Sequence, residues 1–170
     1  MKIVIVAGSD RTGKSTLTEE FVRKGYEYKH FGPPTGSPYG EYIGYAKWLE
    51  EKGDPDGKYV IDRFMYCEFA YSKHYGRATD MTLDRMNEIE DILLGLDPNA
   101  CVVYCETDLE SNWRRIEDEG KHEFSDIEQL ETLRMEYKRV LLHSKLDLVE
   151  YDFTKDGGRL GSIVAEIDAR

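Results

Sequence analysis

Residues Gly8 to Thr16, GSDRTGKST, set two glycines, a lysine and two hydroxyls at the spacing G-x-x-x-x-G-K-[ST] of a phosphate-binding loop. Gly8 and Gly13 let the backbone curl so that successive N–H groups converge on an anion, and the positive end of a following helix adds to the attraction. Lys14 is spaced to reach the β- and γ-phosphates of a nucleoside triphosphate. The Ser15 hydroxyl is placed to ligate Mg²⁺, and Thr16 closes the motif beside them. A second group stands at Asp62 and Arg63, in YVIDRF. An acid at a strand end can hold Mg²⁺ directly or through water, and an arginine offers a planar fork to a phosphate. A structural salt bridge or a helix cap is the other reading of that pair.

These groups need elements to hold them. An apolar run over residues 2–7 predicts a buried strand in front of the loop, and residues 14–24 a helix closed by Gly25. A short strand follows over about 26–31 and runs into the turn-rich GPPTGSP. Ser37 reads as an N-cap with Pro38 at the first helical position of a helix reaching Gly53. Residues 59–62 form the third strand and 64–75 the next helix, after which Thr82 caps a helix with the stripe Leu83, Met86, Ile89 and Leu93. Residues 100–105 give strand four and 146–151 strand five. Between them, Thr107 with Glu110 and Ser125 with Glu128 read as capping boxes of two helices flanking the polar EDEGKHEF. A DFTKDGG loop and a final helix from about residue 160 close the chain. Strand and helix alternate throughout, which predicts an α/β domain with a parallel sheet and ligands at the strands' carboxyl ends.

Composition narrows the partners. The chain has 170 residues, 23 basic against 34 acidic, for a net charge of −11. That length suits one domain over residues 1–170, burying roughly 70% of the unfolded surface. The acidic balance disfavours nucleic acid and anionic membrane as partners and favours a small anionic ligand. With no apolar segment near the length of a span and no secretory signal, the expectation is no membrane and a cytoplasmic location. Cys67, Cys101 and Cys105 do not suggest a disulfide framework. Cys101 and Cys105, two pleats apart on a strand, read as core thiols sharing one face.

GSDRTGKST resembles the phosphate loop of the thymidylate kinases, often G-x-D-R-x-G-K-S-T. DRFMYCEFAYS is similar to that family's D-R-Y-x-x-S-x-x-A-Y-Q at Asp62, Arg63, Phe64, Ala70 and Tyr71. The run from Trp113 to Leu141, with Arg114, Arg115, Gly120 and Tyr137, resembles the family's lid and its flanking helices. The resemblance implies a three-layer P-loop kinase fold, a five-stranded parallel sheet flanked by helices, with a short lid at about residues 117–124. It implies ATP and Mg²⁺ as cofactors and a nucleoside monophosphate as partner, and leaves a homodimer open. Lys14, Ser15, the loop backbone and Arg114 would hold the donor, with Asp62 near the metal. Asp10 would face the acceptor sugar, Arg63 would grip the acceptor phosphate, and Phe31 and Tyr71 would line the acceptor site. Arg11 matches the branch that keeps its catalytic arginine in the loop, and residues 117–123 accordingly contain Lys121 but no arginine.

The chain departs from the pattern at Cys67, where the family has serine, and at Ser72, where it often has glutamine. Tyr42, Tyr45, Lys47 and Trp48 are candidates for reading a base, with core packing the competing role for the apolar ones. The reaction so implied is phosphoryl transfer from ATP to a deoxynucleoside monophosphate, dTMP or a related pyrimidine. An acceptor phosphate ionised near pH 7 needs no strong base, so His30, His74, His122 and His143 read as surface residues. A nucleoside kinase with Asp62 as base, a polynucleotide or modified-DNA kinase, and a P-loop ATPase switch are the alternatives.

Overall fold

In the computed structural model, which describes residues 1–120 and 124–170, five parallel strands form one sheet in the order β2-β3-β1-β4-β5. They are β1 Lys2–Ala7, β2 Glu27–His30, β3 Lys58–Asp62, β4 Cys101–Cys105 and β5 Asp147–Tyr151. The helices are α1 Lys14–Arg23, α2 Pro38–Lys52, α3 Met65–His74, α4 Leu83–Leu96, α5 Leu109–Asp118, α6 Ile127–Leu141, α7 Phe153–Asp156 and α8 Leu160–Asp168.

Strand alternation sorts the core into two layers. Ile3, Ile5, Ile61, Val102 and Tyr104 face α2, α3, α4 and α6, where they meet Leu49, Met65, Met86, Leu133 and Tyr137. Val4, Val6, Val60 and Val103 face the other way, against Leu17 and Phe21 of α1 and Val164 and Ile167 of α8. Both faces of the central strands are therefore covered, as a parallel sheet requires. Cutting a fully buried residue such as Ile5 or Leu17 to alanine costs about 2–5 kcal/mol. Cys101 and Cys105 lie together on the α1/α8 face, and burial pushes each thiol up to about 12.

The predicted elements appear within a residue or two of their expected ends, and Ser37 and Thr82 cap α2 and α4 through Gly40 N–H and Arg85 N–H. Both capping boxes move by one residue. Asp108, not Thr107, caps α5 by accepting from Ser111 N–H, and Asp126, not Ser125, caps α6 by accepting from Gln129 N–H. A carboxylate is an equal or better cap in each pair, and the backbone takes it. The DFTKDGG stretch, expected as a loop, holds α7 and a 3₁₀ turn at Gly157–Arg159, started by Asp152 accepting from Thr154 N–H. Of the expected lid, Lys121, His122 and Glu123 lie outside the described residues. Among the described residues, no helix is long and apolar enough to cross a membrane.

Candidate active site

The chain leaves β1 for α1, β2 and β3 on one side of the sheet and returns to β4 on the other, so β1 sits at the reversal of strand order where a crevice opens. The phosphate loop rises there. Gly8 adopts φ +139°, and a Cβ at that position would overlap the carbonyl oxygen of Cys105 at the end of β4. Gly13, at φ +86°, is the N-cap of α1, and a Cβ there would lie 3.2 Å from the Phe153 ring. Only glycine fits both the backbone and the space at position 8.

Within the loop, Lys14 is buried and its Nζ donates to the Ser9 carbonyl at 2.6 Å, while Thr12 Oγ1 donates to the same oxygen at 2.8 Å. Lys14 Nζ also lies 3.9 Å from Asp10 Oδ1. The same Asp10 oxygen accepts from Arg63 Nη2. Asp10 thus joins the cation of the phosphate loop to the cation at the end of β3. Burial opposes the charge on Arg63, and the Asp10 carboxylate together with Tyr71, Cys67 and Tyr137 outweighs it, so the guanidinium holds its proton more tightly than usual.

β3 lies beside β1 in a register that pairs Val6 with Asp62, and Arg63 N–H donates to the Val6 carbonyl at 3.3 Å. Asp62 Oδ2 accepts from Tyr28 O–H at 3.1 Å and sits 2.9 Å from His30 Nδ1. Its Oδ1 is buried without a hydrogen-bond partner among the described residues. Burial, then the Asp62 charge, pushes the Tyr28 phenol up to about 12. His30 is exposed, as expected, and it stands at the cleft beside Asp62 because β2 pairs with β3 in the register His30 to Asp62.

The cleft has a volume of about 640 Å³, within the range of about 300–1,000 Å³ common for ligand pockets. Asp10, Arg11, Gly13, Lys14, Ser15 and Thr16 form its floor, and Asp62, Arg63, Tyr28 and His30 one wall. The opposite wall is α5 with Arg115, Ile116, Asp118 and Glu119, followed by Phe124. Among the described residues the charges balance: Arg11, Lys14, Arg63 and Arg115 against Asp10, Asp62, Asp118 and Glu119.

Four sequence candidates lie off the cleft lining. Gly8 is behind the loop, against β4. Phe31 is buried in an aromatic cluster with Tyr42, Tyr45 and Phe64, which takes one base-reading candidate, Tyr42, into the core and packs another, Tyr45, against it. Tyr71 lies beneath Arg63, whose Cζ is 5.9 Å from the ring centroid. Arg114 points outward, 76% exposed and 3.9 Å from Glu110, because its neighbour takes the inward face of α5. That neighbour, Arg115, lines the cleft with its Cζ 3.9 Å from the Phe153 ring centroid. The sequence reading also left out Tyr28, Asn112 and Glu119. A signal existed for α5, since Asn112, Arg115, Ile116 and Glu119 fall at i, i+3, i+4 and i+7, one face of a helix.

The described residues contain no cluster of three or more His, Cys, Asp or Glu able to hold a metal alone. The donor set suits Mg²⁺, which keeps several waters and takes few protein ligands beside substrate phosphates. The exposed Ser15 hydroxyl and the unpartnered Asp62 Oδ1 provide for that.

A glycine loop between β1 and α1, with an acid and arginine closing the neighbouring strand, on a parallel sheet covered by helices, defines the P-loop nucleotide and nucleoside kinase fold. The relatives bear this out. No family model matches the chain. Curated relatives include thymidylate kinases from two strains of Leptospira interrogans, each 27% identical over 199 aligned positions covering 96% of this chain and 92% of the relative. Among solved structures, the YorR protein of Bacillus subtilis in complex with phosphorylated GDP superposes with a TM-score of 0.78 at 19% identity, covering 98% of this chain and 95% of that one. Deoxyadenosine kinase from M. mycoides with bound dATP gives 0.61 at 18% identity over 100% of both chains.

Proposed function

We propose that this protein transfers the terminal phosphoryl group of ATP to a deoxynucleoside monophosphate, with dTMP or a related pyrimidine nucleotide as the acceptor. The observation that carries the reading is Asp10 bridging Lys14 and Arg63, which sets one cation on the phosphate loop beside one at the end of β3. A site for joining two phosphates needs cations on both sides of the transferred group. The similarity to thymidylate kinases favours a monophosphate as the second partner.

Lys14 and the loop N–H groups would hold the donor phosphates, with Arg115 on Phe153 giving a flat wall for the donor base. Ser15 and Asp62 would hold Mg²⁺, which when bound neutralises phosphate oxygens. Arg11 would stabilise the transferring group and Arg63 the acceptor phosphate, with Asp10 turned to the acceptor sugar once the phosphates take its cations. Residues 1–170 would act as one kinase domain, with a lid at about 117–124. Positioning and charge neutralisation supply the catalysis, because the loose transition state leaves little covalent chemistry to the protein.

One feature favours a second reading. His30 paired with Asp62 at the cleft is an arrangement able to accept a hydroxyl proton, as a nucleoside kinase requires. Incubating the protein with ATP and Mg²⁺ against panels of nucleoside monophosphates and nucleosides, with products identified by mass spectrometry, separates the two. Diphosphates formed from monophosphates support the first reading. Monophosphates formed only from nucleosides overturn it in favour of the second.

A further inference from the structure

We propose that Asn112 is a positioning residue for the phosphate loop, locking Ser9 and Asp10 to α5 so that Lys14 and Arg63 are presented together. The inference rests on the reading of Gly8–Thr16 as a triphosphate site. Asn112 is fully buried, and its carboxamide is used from both ends. Its Oδ1 accepts from Ser9 Oγ at 2.9 Å, and its Nδ2 donates to the Asp10 carbonyl at 2.8 Å. An amide is the smallest side chain that offers an acceptor and a donor side by side, which is what two successive residues of a curled loop present here.

The two residues it holds are those that orient the cations. The Ser9 carbonyl receives Lys14 Nζ, and the Asp10 carboxylate receives Arg63 Nη2. A shift of the Ser9–Asp10 segment would carry both contacts with it. Asn112 lies 102 residues from Asp10 in sequence, so the tie is tertiary and not part of the loop's own turn. The same face of α5 carries Glu119, paired with Arg11, and Arg115, stacked on Phe153. Movement of α5 is thereby linked to the loop at Asn112.

The test is a double-mutant cycle read by isothermal titration with inorganic tripolyphosphate and Mg²⁺, a probe with no base or sugar, and in parallel with ATP and Mg²⁺. Asn112→Ala should weaken both by about tenfold, the scale expected for losing two hydrogen bonds of ordinary strength. Ser9→Ala should weaken them by a smaller factor. The double variant should bind no worse than Asn112→Ala, because the Ser9 hydroxyl acts through Asn112. The thermal midpoint is measured alongside. A lowered midpoint with unchanged affinity at 20–30 °C below it would show a merely structural role and overturn the proposal, as would additive losses in the cycle. Should Asn112→Ala not fold, Ser9→Ala alone decides, and unchanged affinity overturns the tie. If the wild-type protein binds neither probe, the triphosphate reading itself fails, an outcome distinct from failure of the Asn112 variants alone.

Discussion

Arg11 and Arg63 are, among the described residues, the two without a glycine's freedom that nevertheless hold left-handed backbone, at φ 64° and 56°. Such a conformation costs an ordinary residue roughly 1–2 kcal/mol and tends to persist where function over-determines it. Both side chains line the cleft and both are 33% exposed. Their partners separate them. Arg63 is tied to the scaffold: its N–H bonds β1, its guanidinium meets Asp10, and Tyr71 lies beneath it. Arg11 meets only Glu119, at the C-cap of α5, among the ion pairs described. One arginine is held by the sheet and the other by a helix end that leads into the proposed lid. A fixed guanidinium suits recognition of an acceptor. A guanidinium held by one exchangeable partner suits a group that must swing onto a transferring phosphoryl.

The largest test of that contrast is Arg11→Ala, which should lower turnover on the order of 10³-fold, as loss of a transition-state arginine does. ATP affinity should change little, since Lys14 and the loop N–H groups remain. Alanine keeps the same backbone strain, so the comparison isolates the side chain. Wild-type turnover in this variant would leave Arg11 without a role in transfer. Next in size, Arg63→Ala should raise the acceptor KM by about 10- to 100-fold, the range for hydrogen bonds to charged groups. Steady-state kinetics with varied acceptor reads it, and a loss confined to kcat would exchange the roles of the two arginines.

Glu119→Gln tests the exchangeable partner directly. Removing an exposed ion pair should free Arg11 and tighten triphosphate binding by up to about fivefold, the scale of such pairs. Weaker binding in that variant would mean that Glu119 orients Arg11 productively instead of restraining it.

The smallest expected effect concerns ion pairs outside the cleft lining, at the end of β4. Burial pushes the Glu106 carboxyl up, yet hydrogen bonds from Lys138 and Arg134 more than offset it and leave its pKa below the ordinary value. A pKa lowered by folding means stability that is full above the ordinary glutamate value of 4.5 and lost as pH falls through the lower folded value. Thermal melts should therefore fall less steeply with acid below about pH 4 in Glu106→Gln than in the wild type. Parallel curves would remove Glu106 as a contributor.

Much of this site could be read before the fold was known. The phosphate loop is contiguous, so its spacing carries the chemistry. Asp62 and Arg63 end an apolar strand, and strand ends in a parallel sheet are where ligands lie. What could not be read depends on register between distant segments. His30 meets Asp62 because β2 adds to β3 with those residues side by side, and nothing local to KHFG shows that pairing. Arg114 and Arg115 are adjacent and chemically identical. The rotation of α5 decides which faces the cleft, and that rotation is set by packing of Ile116 and burial of Asn112. The two capping boxes slipped for a local reason, since Thr107-Asp108 and Ser125-Asp126 each offer two good caps in succession. Phe31 and Tyr42 were drawn to the core by one another and by Phe64.

The balanced lining of the cleft bears on how fast a ligand arrives. Four cations facing four carboxylates among the described residues, on a molecule of net charge −11, leave no long-range field to draw a polyanion inward. On the proposed reading, attraction would begin only when ligand phosphates come within a few ångströms and compete with Asp10 and Glu119 for their arginines. Association should then proceed at the ordinary unsteered rate and rise with ionic strength as the overall repulsion is screened, the reverse of a cleft that captures its ligand from a distance.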